Sequence, residues 1–250
     1  MTRVILNADD LGASQEVNEA TFVLMTQGLV TSATLLANAP CTDDAIARLH
    51  HFPQCSFGVH LNITQYRPLS GAHGLAPVLD AEGNMVRQPR LPLDRDFLSA
   101  VYRELCAQIG RLLQSGVRLS HIDSHHHVHT IPALFPVLKA VQRRFGIRKV
   151  RLSKNLYCES SLRRGLLFKK ELYNRCLRRL YATRTTAKFC EFSTFASVLR
   201  RLRSVSVDSI ELMLHPGSSR EDYRQEIRDL QDMWAQHWVR LFEPANYFQI

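Results

Sequence analysis

Four short motifs place acids and histidines in a pattern that could hold a metal ion. The first, "NADD", ends at Asp9 and Asp10, and "HIDSHHHVH" later concentrates five of the chain's eleven histidines. His60 lies in "GVHLN" and His215 in "MLHPG". Imidazole nitrogens and carboxylate oxygens are common protein ligands of zinc and related divalent ions. The motifs therefore predict a metal-dependent hydrolase.

One carboxylate and two imidazoles make an open site, because they leave positions on the metal free for water and substrate. Metal-bound water loses a proton more readily and becomes a nucleophile near neutral pH. A neighbouring carboxylate can accept that proton, and a histidine can protonate the leaving group. The sequence supplies each role, with Asp10, His60 and His125 as the predicted ligands. Asp9 is the predicted base and His215 the predicted acid.

The other residues of the histidine-rich motif cannot all bind one ion. His121 and Asp123 share one face of a predicted strand, so we expect them to orient a ligand from behind. His129 is the alternative third ligand. His126 and His127 are expected either to pack or to face solvent.

Strands that alternate with helices indicate an α/β fold with a parallel sheet, and about seven such units favour a closed or nearly closed barrel. Chemistry in such barrels lies at the carboxyl ends of the strands, where the acids and histidines above are found. The predicted strands are Arg3–Ala8, Val30–Asn38, Cys55–Ile63, Val117–Asp123, Arg148–Leu152 and Ser209–His215. The first predicted helix begins after Ser14 and ends near Gly28. The other predicted helices span Asp43–His51, Phe97–Leu112, Ile131–Val141, Arg163–Tyr181, Ala196–Arg203 and Arg220–Trp238. A long loop, Thr64–Arg95, and a single domain over residues 1–250 complete the prediction.

Composition points to a cytoplasmic location. No uninterrupted apolar run approaches the roughly 20 residues of a membrane span, and the N-terminus lacks the features of a secretory signal. The six cysteines form no CxxC pair, which favours reduced thiols over disulfides.

The positive charge is concentrated in one part of the chain. Residues 139–203 hold 19 lysines and arginines against three acids, a net charge of +16. Within them, residues 155–183 are predicted to form a basic helical insertion with one apolar side. Such a helix is either a solvated face or a surface for an anionic membrane, an anionic glycan or a lipid-linked sugar. Nucleic-acid binding is the rival from another class, but interleaved aromatic residues and a known binding module are missing.

The motifs "NADDLG", "GVHLN", "DSHHHVH" and "HPG" resemble those of the YdjC or ChbG family of carbohydrate deacetylases. This family is similar in design to the NodB-type polysaccharide deacetylases. The resemblance implies a distorted TIM-like barrel that removes an N-acetyl group from an amino sugar. It also implies one metal ion on Asp10, His60 and His125. The ligand types suit zinc or another first-row ion such as manganese or cobalt, and the resemblance makes magnesium an alternative. Asp9 would be the base.

The resemblance also extends to a substrate-side segment. "RTTAKF" is similar to such a segment of the family, which would place Thr185 and Thr186 near the site. The region from about 155 to 183 fits the family pattern poorly, so the sugar, oligosaccharide or glycolipid substrate is left open. The rival enzyme is a metal-dependent hydrolase of another bond, such as a phosphoester, for which two metals would be expected.

Overall fold

Parallel strands and covering helices alternate in the computed structural model of this protein, which describes residues 1–88, 90–157, 164–202, 207–235 and 242–250. The strands are β1 (Thr2–Leu11), β2 (Ser32–Leu35), β3 (Ser56–Leu61), β4 (Leu119–Ser124), β5 (Lys188–Glu191), β6 (Ser209–Leu214) and β7 (Phe242–Pro244). The helices are α1 (Gln15–Thr26), α2 (Thr42–Arg48), α3 (Arg95–Gln114), α4 (Phe135–Phe145), α5 (Arg164–Arg179), α6 (Phe192–Leu202) and α7 (Glu221–Ala235).

The strands form one curled parallel sheet in the order β4-β3-β2-β1-β6-β5. The short β7 pairs with the first residues of β1. Every residue of β2, β3 and β6 is buried, because side chains on both sheet faces are covered. This architecture confirms the predicted distorted barrel of about seven strands.

The gap between the edge strands β4 and β5 is crossed by residues 149–151 instead of by a regular strand. Val150 pairs with Ile122 of β4, and Lys149 pairs with Arg184 just before β5. The prediction of a regular strand over Arg148–Leu152 is therefore wrong, because these residues make isolated parallel bridges instead of a strand. The crossing still has a consequence for the site, because it directs the side chain of Arg151 into the buried interior.

Several element ends also differ from the sequence prediction. The second helix ends at Arg48 and continues as a 3₁₀ turn, and α6 begins at Phe192, four residues earlier than expected. Strands β5 and β7 were not predicted, because runs of four and three residues are too short for periodicity to reveal. The predicted helical residues 163, 203 and 236–238 lie outside the described residues.

The long predicted loop is present over the described residues 62–88 and 90–94, which include a 3₁₀ turn at Ala76–Val78. A buried carboxylate holds it against α3: Glu104 accepts hydrogen bonds from the backbone N–H of Leu69 (3.1 Å) and Ser70 (2.7 Å). This tether keeps the loop ordered beside the carboxyl ends of the strands. Among the described residues, no helix is long and apolar enough to cross a membrane.

Candidate active site

The three predicted metal ligands meet at the carboxyl ends of β1, β3 and β4. Asp10 Oδ1 lies 3.2 Å from His60 Nε2 and 2.8 Å from His125 Nδ1. One ligand atom from each of the three residues lies within 4.8 Å of the others. His60 is 2% exposed, whereas the Asp10 side chain is 23% exposed. The cluster therefore opens to solvent on its Asp10 side.

Unusual backbone conformations aim these side chains. Asp10 has a φ of +64°, and the consecutive residues His126 and His127 have φ values of +50° and +56°. Non-glycine residues in this left-handed region are strained by roughly 1–3 kcal/mol and persist where the surrounding structure holds them. The strain occurs where β1 ends and where the chain turns after β4, so it falls on the two segments that present Asp10 and His125.

The chemistry and spacing of these side chains fit a divalent metal. A tetrahedral ion with ligand bonds of about 2.0 Å separates its donor atoms by roughly 3.3 Å, close to the distances from the Asp10 oxygen to the His60 and His125 nitrogens. The other nitrogen of His60 lies 2.7 Å from Asp123 Oδ1, an arrangement that typically orients a metal-binding imidazole. Burial opposes the charged imidazole, but Asp123 and Asp10 outweigh it and raise the pKa of His60 to about 10.

Two further groups of acids and histidines are equally compact, but an arginine already neutralises them. Arg151 Nη1 lies 2.7 Å from Asp9 Oδ2 and 2.8 Å from Asp123 Oδ2. Its Nε donates to Glu211 Oε1 at 2.7 Å. A fully buried guanidinium among these carboxylates disfavours a second cation there. The groups in question are Asp9–His60–Asp123 and His121–Asp123–Glu211.

Asp9 lies behind Asp10 and is held as a carboxylate. Both its oxygens accept hydrogen bonds from Arg151, at 2.6 and 2.7 Å, and Oδ1 also accepts one from Asn7. Burial alone would raise the pKa of Asp9, but the charge and hydrogen bonds of Arg151 hold it well below its usual range. Sequence reasoning missed Arg151. The sequence gives no signal for it, because in the alternating run "KVRLS" Arg151 falls on the polar side with Lys149 and Ser153, where an exposed arginine is ordinary.

His215 faces the same cavity from the end of β6. The cavity has a volume of about 400 Å³ and is lined by Asp10, His125, Tyr66 and the turn His215–Gly217. The imidazole of His215 stacks on Tyr223 with the ring centres 4.0 Å apart. Its Nδ1 has no hydrogen-bond partner among the described residues, and burial lowers its pKa. The cavity thus has an acid–imidazole cluster on one side and a second imidazole on the other.

Two other histidines of the histidine-rich motif, His121 and His129, have packing and hydrogen-bonding roles. His121 stacks on Tyr247 at 3.5 Å, and its ring leaves space only for glycine at Gly58. His129 Nδ1 lies 2.5 Å from Ser124 Oγ, and its Nε2 lies 3.2 Å from the carbonyl oxygen of Arg151. Both nitrogens of His129 are therefore engaged away from the ligand cluster. Its predicted use as an alternative ligand finds no support in this geometry.

Thr185 and Thr186 lie beside α5 and are not among the residues that line the cavity. Arg178 Nε donates to Thr185 Oγ1 at 2.8 Å, and Thr185 in turn donates to the carbonyl oxygen of Thr186. The Thr186 hydroxyl is buried without a partner in the described structure. A substrate role for these two threonines stays a prediction.

Taken together, a curled parallel barrel and a cluster of acids and imidazoles at its strand ends define a distorted (β/α)-barrel protein with a cluster that could hold a metal ion. The model of the YdjC-like protein family matches residues 3–243, and the chain belongs to that family.

Similar proteins support this placement. A carbohydrate deacetylase of Vibrio campbellii is 40% identical over 147 residues, which are 58% of this chain and 57% of that protein. Another carbohydrate deacetylase, from Vibrio parahaemolyticus, is 33% identical over 86% of this chain and 78% of its own length. A proposed cellobiose-phosphate cleavage protein of Enterococcus faecalis has a similar fold, with a TM-score of 0.74 and 24% identity over 99% of this chain and 98% of that one.

Proposed function

We propose that this protein hydrolyses the N-acetyl group of an amino sugar, either free or within an oligosaccharide or glycolipid. The observation that carries the proposal is the cluster of Asp10, His60 and His125, of which Asp10 and His125 line a cavity that His215 also lines. The names of the relatives favour a carbohydrate substrate. A cavity of about 400 Å³ is large enough to enclose a sugar residue.

Asp10, His60 and His125 would hold one divalent ion, zinc or magnesium, with manganese or cobalt as alternatives. When bound, the ion supplies a polarised acetyl carbonyl and an acidified water. Its affinity should depend on Asp123, because this carboxylate fixes the orientation of His60.

The chain's own residues would move the protons. Asp9 takes a proton from the attacking water, whose oxygen bonds to the acetyl carbon. Arg151 keeps Asp9 ionised and correctly oriented for this step. His215, across the cavity, gives a proton to the sugar nitrogen as the carbon–nitrogen bond breaks. The products are acetate and a free amine.

The decisive experiment measures acetate release from a panel of N-acetylhexosamines and their oligomers, with and without a chelator. We expect turnover that a chelator abolishes and that a divalent metal restores. Asp10→Asn should lower metal occupancy and turnover, whereas Asp9→Asn should keep the metal but lower turnover about a hundredfold or more.

Asp43→Asn, at an exposed acid on α2, is the matched control and should behave as the wild type. Wild-type turnover in Asp9→Asn would refute the assigned base. Absence of acetate release from every sugar tested would refute the deacetylase proposal.

Metal content by elemental analysis should be near one ion per chain. Two ions would instead favour the phosphoesterase alternative.

A further inference from the structure

Helix α5 exposes a row of apolar side chains that the fold does not bury. Phe168 is 68% exposed, and Leu172, one turn later, is 50% exposed. Cys176 continues the same row and is also exposed. Residues four apart lie on one face of a helix, so these side chains form a continuous stripe that points away from the core.

Basic residues flank this stripe. Helix α5 carries six arginines and lysines against a single acid, Glu171. Glu171 pairs with Arg175 at 3.2 Å, so the helix keeps a clear positive excess. The side chains of Lys169 and Arg179 are exposed beside the stripe. The outer face of α5 therefore combines an apolar centre with positive edges.

The opposite face of α5 is firmly attached to the barrel. Leu177 is fully buried, and Asn174 exchanges hydrogen bonds with the backbone of Ser153 at 2.9 and 3.0 Å. The Tyr173 hydroxyl donates to the carbonyl oxygen of His129, at the end of the histidine-rich turn. The exposed stripe is thus part of a fixed surface that lies next to the segment carrying His125.

We propose that the outer face of α5 docks on an anionic phospholipid bilayer. The apolar stripe enters the boundary between headgroups and acyl chains, as in other amphipathic interfacial helices. The flanking cations attract the negative surface at about 1 kcal/mol each, within a Debye length of the membrane. This charge complementarity favours the negatively charged inner face of a membrane, and the docking would bring the candidate site close to lipid-borne sugars.

Two other occupants fit the face less well. A two-fold partner helix would bring the six basic residues of one α5, with its single acid, against the same helix of the other copy, so charge repulsion opposes self-pairing. A nucleic acid would pair its phosphates with the cations but would leave Phe168 and Leu172 facing a charged backbone. Only the bilayer provides both an apolar phase and anions in parallel layers.

The test is co-sedimentation of the full chain with phosphatidylcholine vesicles, with and without phosphatidylglycerol, across a salt series. We expect binding only to the anionic vesicles and weaker binding as salt rises. Phe168→Ser with Leu172→Ser should lower the partition coefficient about tenfold or more without changing the charge. Lys169→Gln with Arg179→Gln should lower it about thirtyfold.

Matched controls change the same residue types elsewhere on the surface. Val23→Ser with Leu113→Ser removes two exposed apolar side chains, and Arg95→Gln with Arg143→Gln removes two exposed charges. These variants should bind vesicles as well as the wild type does. All changed positions are exposed, so thermal melts should show folded proteins throughout.

Three vesicle results would overturn the proposal: no binding to anionic vesicles, equal binding to neutral ones, or binding unchanged by the α5 variants. Concentration-dependent dimerisation that Phe168→Ser abolishes would assign the face to a second copy and also reject it. The result is separable from the deacetylase proposal, because Asp10→Asn should lose acetate release but still bind the vesicles.

Discussion

At the scale of single residues, Arg151 supports the candidate site although none of the motifs contains it. Its guanidinium is fully buried and joins Asp9, Asp123 and Glu211 from three different strands. Arg151 holds Asp9, the predicted base. It also contacts Asp123, the carboxylate that orients His60. Removal of one member of such a buried network leaves uncompensated charges, which typically costs about 3–5 kcal/mol.

We expect Arg151→Lys to lower turnover about a hundredfold and the free energy of unfolding by about 3 kcal/mol, because one ammonium cannot replace the guanidinium fork. Acetate release and urea unfolding would measure the two effects. Arg111→Lys is the control, since Arg111 binds the exposed Asp43 and should change stability by less than about 1 kcal/mol. A fully active Arg151→Lys variant would contradict the assigned role.

At the scale of elements, the contacts between helices place ionisable groups where charge is costly. Glu226 of α7 is 3% exposed, and its Oε1 accepts a hydrogen bond from the backbone N–H of Ser193 at the start of α6. Its Oε2 has no partner in the described part of the chain. Burial, together with the nearby Glu191, raises the pKa of Glu226 to about 7. The contact between α6 and α7 is therefore pH-sensitive.

The sign of this sensitivity follows from the raised pKa. Protonation of Glu226 is more favourable in the folded state than in the unfolded state, so it stabilises the fold. This stabilisation is complete below a pH of about 4.5 and is lost as the pH rises to about 7. The full loss is about 3 kcal/mol. Glu226→Gln should therefore gain stability relative to the wild type between pH 5 and pH 8, measured by urea unfolding at both. Glu221→Gln, at an exposed acid of the same helix, should show no such gain. If the free energy of unfolding depended on pH equally in Glu226→Gln and in the wild type, Glu226 would not be the group responsible.

At the scale of the whole molecule, the sequence could predict the site residues that stand in short motifs but not the distant residues that support them. Asp10, His60 and His125 stand in short motifs at predicted strand ends, so their convergence could be anticipated from the barrel. The residues that support them could not. Arg151 and Asp9 are 142 positions apart, and Glu211 and Tyr247 are 36 apart. Periodicity and spacing carry no information about such pairs, because each residue looks ordinary in its own segment.

The C-terminal segment shows how remote parts of the molecule support the site. Ala245 donates from its backbone to Val4 of β1 at 2.9 Å, and Tyr247 donates from its backbone to Ser56 of β3 at 3.0 Å. The fully buried Tyr247 hydroxyl donates to Glu211, which in turn binds Arg151. The segment therefore closes the amino-terminal end of the barrel and braces, from below, the arginine that holds the predicted base.

Tyr247→Phe removes only the hydroxyl and leaves a buried carboxylate oxygen of Glu211 unsatisfied, which costs about 1–3 kcal/mol. At roughly 2–4 °C per kcal/mol, the melting temperature should fall by about 2–12 °C. The kcat should also fall while KM stays constant, because Tyr247 does not line the cavity but braces Arg151 behind it. Phe248→Ala, at the exposed neighbouring ring, is the control and should leave kcat unchanged. A Tyr247→Phe variant with the wild-type kcat and melting temperature would show that the brace has no effect on the site.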